Sequence, residues 1–112
     1  MKNGLRVGSV AAFARGLPVR FQRGRAGTLA LRVHFTFRGS ETAELTVDLR
    51  DQAISLEKGL TGAADLHVTA DTRTWLDVVN GNRSLFWALV LRRVRVRGPL
   101  RLLRDFGRCF PG

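Results

Sequence analysis

The chain of 112 residues contains one cysteine, one methionine, three prolines, no tyrosine and only nine acidic residues. Its longest unbroken apolar run, Leu85 to Leu91, is seven residues. Each shortage excludes something. A lone thiol, Cys109, rules out an internal disulfide framework and any zinc site built on several thiolates. An apolar run of seven is far below the ~20 residues that cross a bilayer as a helix. Near the N-terminus Gly8–Ala14 is a small-residue stretch, but Arg6 and Arg15 leave too little apolar length for a signal peptide. The expected compartment is therefore the cytoplasm. With 45% apolar residues the composition is that of a globular chain, and the length allows one domain with a modest core.

What is present in excess is arginine. The basic residues number 19, all arginine except Lys2 and Lys58, and the net charge is +10. The charge is segmented: +8 over residues 1–38, −5 over 39–82 and +7 over 83–112. So basic a chain first suggests nucleic acid, for which one basic stripe or helix is the commoner arrangement. The two basic ends could still meet in space. Gly24-Arg25-Ala26-Gly27 resembles a GxxG phosphate-clamping loop, but here it leads into a strand rather than joining two helices. Nucleic-acid binding stays as the alternative.

Periodicity supplies the elements. A short helix is expected around Ser9–Leu17, ended by Pro18 and a loop over Arg23–Gly27. Leu29, Leu31, Val33, Phe35 and Phe37 then alternate with Ala30, Arg32, His34 and Thr36, a strand with one buried face. Across Gly39-Ser40, Ala43, Leu45, Val47 and Leu49 repeat the pattern, completing a hairpin. A third strand places Ile54 and Leu56 inward, and a fourth Leu66, Val68 and Ala70. Asp71 is placed to cap a helix carrying Trp75, Leu76, Val78 and Val79, with Gly81 as its stop. Ser84 precedes Leu85–Leu91, apolar on every side, which must be buried all round or face something apolar outside its own core. Arg93-Val94-Arg95-Val96-Arg97 returns to period two, and Gly98-Pro99 opens a last helix with Leu100, Leu103 and Phe106 on one stripe and Leu102 beside it. The order of elements is that of an α+β layer.

From Leu31 to Phe106 this order resembles the sterol carrier protein 2 family of lipid-binding domains. The most specific stretch is Thr69-Ala70-Asp71-Thr72-Arg73-Thr74-Trp75-Leu76-Asp77-Val78-Val79-Asn80-Gly81, followed without insertion by the apolar helix, the basic strand and Gly98. Thr46-Val47-Asp48-Leu49 is similar to the family's second strand. The resemblance implies a single domain over 1–112, with 1–27 a more loosely matched helix and loop. It implies a five-stranded mixed, mostly antiparallel sheet with helices covering one face and enclosing an apolar tunnel. An acyl chain, sterol or isoprenoid would lie in that tunnel. Its walls would include Phe35, Val47 and Leu49 from the sheet, then Trp75, Leu76 and Val79, then Phe86, Leu89 and Val90, and finally Leu102, Leu103 and Phe106. Leu91 and Arg92 stand where many members carry Gln and Gly, which implies a plainer apolar ligand.

On this reading the protein is a non-enzymatic carrier that transfers lipid between membranes, with the last helix from about Leu100 as a movable gate. A further alternative is an accessory subunit presenting a quinone-like lipid to a partner enzyme. Arg93, Arg95 and Arg97, joined by Arg20, Arg23 and Arg25, would touch an anionic membrane transiently; the ladder on the strand also reads as charge guarding a sheet edge. No catalytic constellation, metal set or cofactor motif is legible. His34 and His67 share the polar parity of their strands and are expected to face solvent; Cys109 reads as a half-buried small hydrophobe.

Overall fold

A computed structural model describes residues 8–110. The expected domain's residues 1–7, 111 and 112 lie outside the described residues. Ten elements follow in order: α1 (Val10–Arg20), α2 (Arg23–Ala26), β1 (Leu31–Arg38), β2 (Ala43–Arg50), β3 (Ala53–Lys58), β4 (Leu66–Asp71), α3 (Thr72–Val79), α4 (Leu85–Val90), β5 (Val94–Arg97) and α5 (Leu100–Arg108). The sheet runs β3-β2-β1-β4-β5. Three of its four pairings are antiparallel; β1 and β4 at the centre are parallel, with Phe35 beside Val68. The fold is thus the expected α+β arrangement of a five-stranded mixed sheet with helices.

The alternating residues decide which face is dry. Leu31, Val33, Phe35, Phe37, Val47, Leu49, Leu66, Val68 and Ala70 are all nearly inaccessible to solvent. Over them Phe13 of α1 and Trp75 of α3 close a ring cluster with Phe35 and Phe37, at centroid distances of 5.5–6.4 Å. The three pairs of Phe13 are edge-to-face, and such pairs contribute beyond their buried area, about 0.5–1.5 kcal/mol each. Between β2 and β3 the chain reverses in two residues, Asp51 and Gln52, both at positive φ, the backbone of a tight hairpin turn. Asp71 caps α3 as expected: its Oδ2 accepts from the Thr74 backbone N–H at 3.1 Å and from the Thr74 hydroxyl at 2.9 Å.

Three local expectations are corrected. First, α1 does not stop before Pro18 but continues to Arg20. A proline removes one N–H from the ladder, and so near the helix end the loss is confined to a single bond; Phe21 N–H still donates to Leu17 O at 2.9 Å. Second, Arg23–Ala26 is one turn of helix rather than loop, ended by Gly27 at φ +54°. Third, His34 is buried despite its polar parity. The segment after β3 folds back over the outer face of the sheet. There Thr46 donates to Gly59 O (2.8 Å), its hydroxyl accepts from Thr61 N–H (3.0 Å), and His34 Nε2 donates to Thr61 O (2.8 Å).

Candidate apolar binding pocket

Helical spacing builds the site. On α1, Phe13, Gly16, Leu17 and Arg20 fall at i, i+3, i+4 and i+7, one face of the helix, and that face lines a pocket above the sheet. Trp75 and Val79 of α3, one turn apart, form a second wall. Leu103, Phe106 and Gly107 of α5 form the third, with Leu85 of α4 and Phe110 closing the ends. The pocket measures about 230 Å³ and is almost wholly apolar, with Arg20 at its margin. Two helical glycines keep it open: a Cβ added at Gly16 or at Gly107 would meet nothing within 4 Å.

Trp75 brings a polar group, its indole N–H, to the walls. Its indole is 5% exposed, and Nε1 has no hydrogen-bond partner among the described residues. A buried donor left unsatisfied costs about 1–3 kcal/mol.

Of the residues named from the sequence, Trp75, Val79, Leu103 and Phe106 are brought together around this pocket. Phe35 lies beneath it, its ring 5.5 Å from Trp75 and 6.0 Å from Phe106. Val47, Leu49 and Leu76 sit in the core and are not part of the lining; Leu89 and Leu102 are half-buried against that core. Phe86 and Val90 point outward, 64% and 52% exposed. With Trp87 and Leu91 they leave α4 apolar toward solvent while Ala88 is fully buried and Leu85 reaches the pocket. Sequence reasoning did not assign Phe13, Gly16, Leu17, Leu85, Gly107 or Phe110 to a site, although the stripe on α1 carried the signal.

Among the basic residues, Arg20 reaches the pocket, while Arg23 and Arg25 are exposed on α2. Gln22 N–H donates to Cys109 O at 2.8 Å, and Arg25 and Arg108 line one small cleft, so the two basic ends of the chain meet there. Arg95 and Arg97 project from β5 on the face of the sheet away from the helices, and Arg93 is exposed just before it. On that same face the His34 and His67 rings are 5.8 Å apart, and His67 Nε2 shares a hydrogen bond of 3.0 Å with the Thr36 hydroxyl. Partial burial, then His34 and Arg97, hold the His67 pKa below its ordinary value. Burial and the nearby Asp105 push the Cys109 thiol up. Among the described residues no group of three or more His, Cys, Asp or Glu could hold a metal ion, and no helix is long and apolar enough to cross a membrane.

Comparison with known proteins adds the following. The family model of the SCP-2 sterol transfer family matches residues 21–111. No curated protein sequence matches the chain. Among solved structures, a double mutant of the sec-alkyl sulfatase PisA1 superposes with a TM-score of 0.86 at 17% identity, covering 96% of this chain and 17% of that one. The present chain therefore spans only a small part of that relative's length. Palmitated SCP2L2 from Aedes aegypti gives a TM-score of 0.68 at 15% identity, with 88% and 90% of the two chains covered. The UbiJ-SCP2 ubiquinone synthesis protein gives 0.67 at 16% identity, with 86% and 87% covered. At these identities the superpositions speak for the fold.

Proposed function

The chain belongs to the SCP-2 sterol transfer family, and from that premise we propose that it is a carrier, not a catalyst, holding the apolar part of a lipid between α1, α3 and α5. The observation that carries this reading is the pocket itself, apolar on three helical walls and kept open by Gly16 and Gly107. Its ~230 Å³ exceeds the ~150 Å³ apolar cavity that accommodates benzene. It falls short of the ~300–1,000 Å³ usual for small-molecule sites. A lipid is therefore held by one segment, and the rest follows the apolar surface of α4. The apolar lining suits the hydrocarbon part of a fatty acid, sterol or isoprenoid. The whole chain, 1–112, serves as one such domain. SCP2L2 from Aedes aegypti is palmitated in its solution structure, in keeping with an acyl ligand here.

Native mass spectrometry of the purified protein, followed by extraction of what it carries, tests the reading. A one-to-one adduct of lipid mass, or uptake of an added fatty acid, sterol or isoprenoid, is expected. Protein that takes up none of the three overturns it.

A second role fits the same pocket: presenting the lipid to an enzyme. It is suggested by the likeness in fold to a part of a sulfatase and to a ubiquinone synthesis protein. Copurification of an enzyme with wild-type protein, lost when the pocket is blocked, separates presentation from transfer between membranes.

A further inference from the structure

On the far side of the sheet from the pocket, Arg38, Arg92, Arg93 and Arg95 line one cleft of about 300 Å³. The topology assembles them from three places. Arg38 ends the central strand β1, paired with Asp71; Arg95 lies on β5, paired with Thr69; Arg92 and Arg93 form the turn between α4 and β5. None of the four makes an ion pair with a described carboxylate. The single acid of the cleft, Asp71, already accepts two hydrogen bonds from Thr74. Guarding a sheet edge accounts for a charge on β5. It does not account for Arg38 in the middle of the sheet, nor for Arg92, which holds φ +60° in a turn that glycine would adopt without strain. Four arginines lining one cleft against a single carboxylate leave a net positive site for a multivalent anion, and the arginine fork matches phosphate oxygens two at a time.

We propose that this cleft recognises the phosphodiester of an anionic phospholipid at a membrane surface. What selects a lipid over other phosphates is the neighbouring surface. Leu91, 59% exposed, directly precedes Arg92, and Arg93 N–H donates to Ala88 O at 2.9 Å. The cleft thus adjoins the last turn of α4, the helix on which Phe86, Trp87 and Val90 are exposed. The inference rests on the carrier reading only for the reason a membrane is visited.

The test measures partitioning onto vesicles of phosphatidylcholine, alone or mixed with phosphatidylglycerol, at fixed salt. In the variant Arg38→Gln/Arg92→Gln/Arg95→Gln, partitioning onto the mixed vesicles is expected to fall on the order of 100-fold. The control Arg15→Gln/Arg50→Gln/Arg73→Gln, with the same net charge, should lose less than about tenfold, because its positions act only through the screened overall field. The single change Arg92→Gly relieves the turn and must fold; it should weaken partitioning about fivefold with no drop in melting temperature. Equal losses in cleft and control variants overturn the site, as does tighter binding of wild-type protein to a single-stranded oligonucleotide than to the mixed vesicles. Saturable binding of inorganic phosphate that displaces the protein from vesicles overturns the lipid assignment. Bound lipid measured on the same variants by native mass spectrometry should be unchanged, so a failure here leaves the pocket reading untouched.

Discussion

Gly16 offers the cleanest way to block the pocket without breaking the fold. It lies inside α1 at ordinary helical φ, it lines the pocket, and a Cβ there meets nothing within 4 Å. At roughly 30 Å³ per water-sized group, the ~230 Å³ pocket takes seven or eight methylene-sized groups. Burying each contributes about 0.8 kcal/mol, so the enclosed segment is worth about 6 kcal/mol of affinity before ordering costs. A phenylalanine ring, of benzene size, fills about two thirds of that volume. Gly16→Phe should therefore remove about 4 kcal/mol, a loss of roughly three decades in affinity. The same change should not destabilise the protein. Replacing a mid-helix glycine gains about 0.5 kcal/mol, and burying the ring adds about 2 kcal/mol, so the melting temperature should rise by at least ~4 °C. Gly16→Ala is the control, with the helix gain and nearly full binding. The assays are displacement of a fluorescent fatty acid and a thermal melt followed by circular dichroism. A folded Gly16→Phe protein that binds within about threefold of wild type would refute the placement of the ligand.

Two further outcomes follow from local geometry. Asp71→Ala removes the cap of α3 and should cost about 1 kcal/mol, visible as a melting temperature lower by ~4–8 °C; an unchanged melt would mean that α3 is held by packing alone. His67, whose pKa is lowered on folding, is kept neutral in the native state and binds its proton more readily when unfolded. Its contribution is therefore complete above the ordinary value of 6.5 and is lost as the pH falls through the lowered native pKa. Denaturant titrations should show stability falling as the pH drops below the ordinary value of 6.5, and His67→Gln should flatten that slope. A slope unchanged in the variant would assign it to other groups.

How much of this was legible in the sequence depends on how local the cause is. Strand parity predicted the dry face, because side-chain direction alternates whatever the neighbours do. Asp71 and Gly81 marked the ends of α3, because caps act within one turn. His34 was misread for the opposite reason. Its burial is caused by the loop at Gly59–Thr61, which is distant in sequence and has no periodicity. The pocket was half legible: Trp75, Val79, Leu103 and Phe106 were named, while α1 was seen as a helix but not as a wall. Gly16 reads as a weakness in an isolated helix, and only its place in the pocket lining, with Gly107, shows it to be an opening. That Phe86 and Val90 point outward could not be read from a helix apolar on all sides, since such a helix carries no orientation signal.

The parallel pairing of β1 with β4 also has a consequence for how the molecule comes into being. β1, β2 and β3 are joined by short turns and can zip as hairpins within microseconds. The central seam must wait for β4, which residues 39–65 separate from β1, and such a non-local closure is slow. During synthesis a chain released only as far as β3 presents β1, Leu31 to Arg38, as an unpaired sheet edge with its apolar face uncovered. Nascent chains stalled between Lys58 and Leu66 are thus the stage most exposed to strand-to-strand aggregation, and the arrival of β4 ends that exposure.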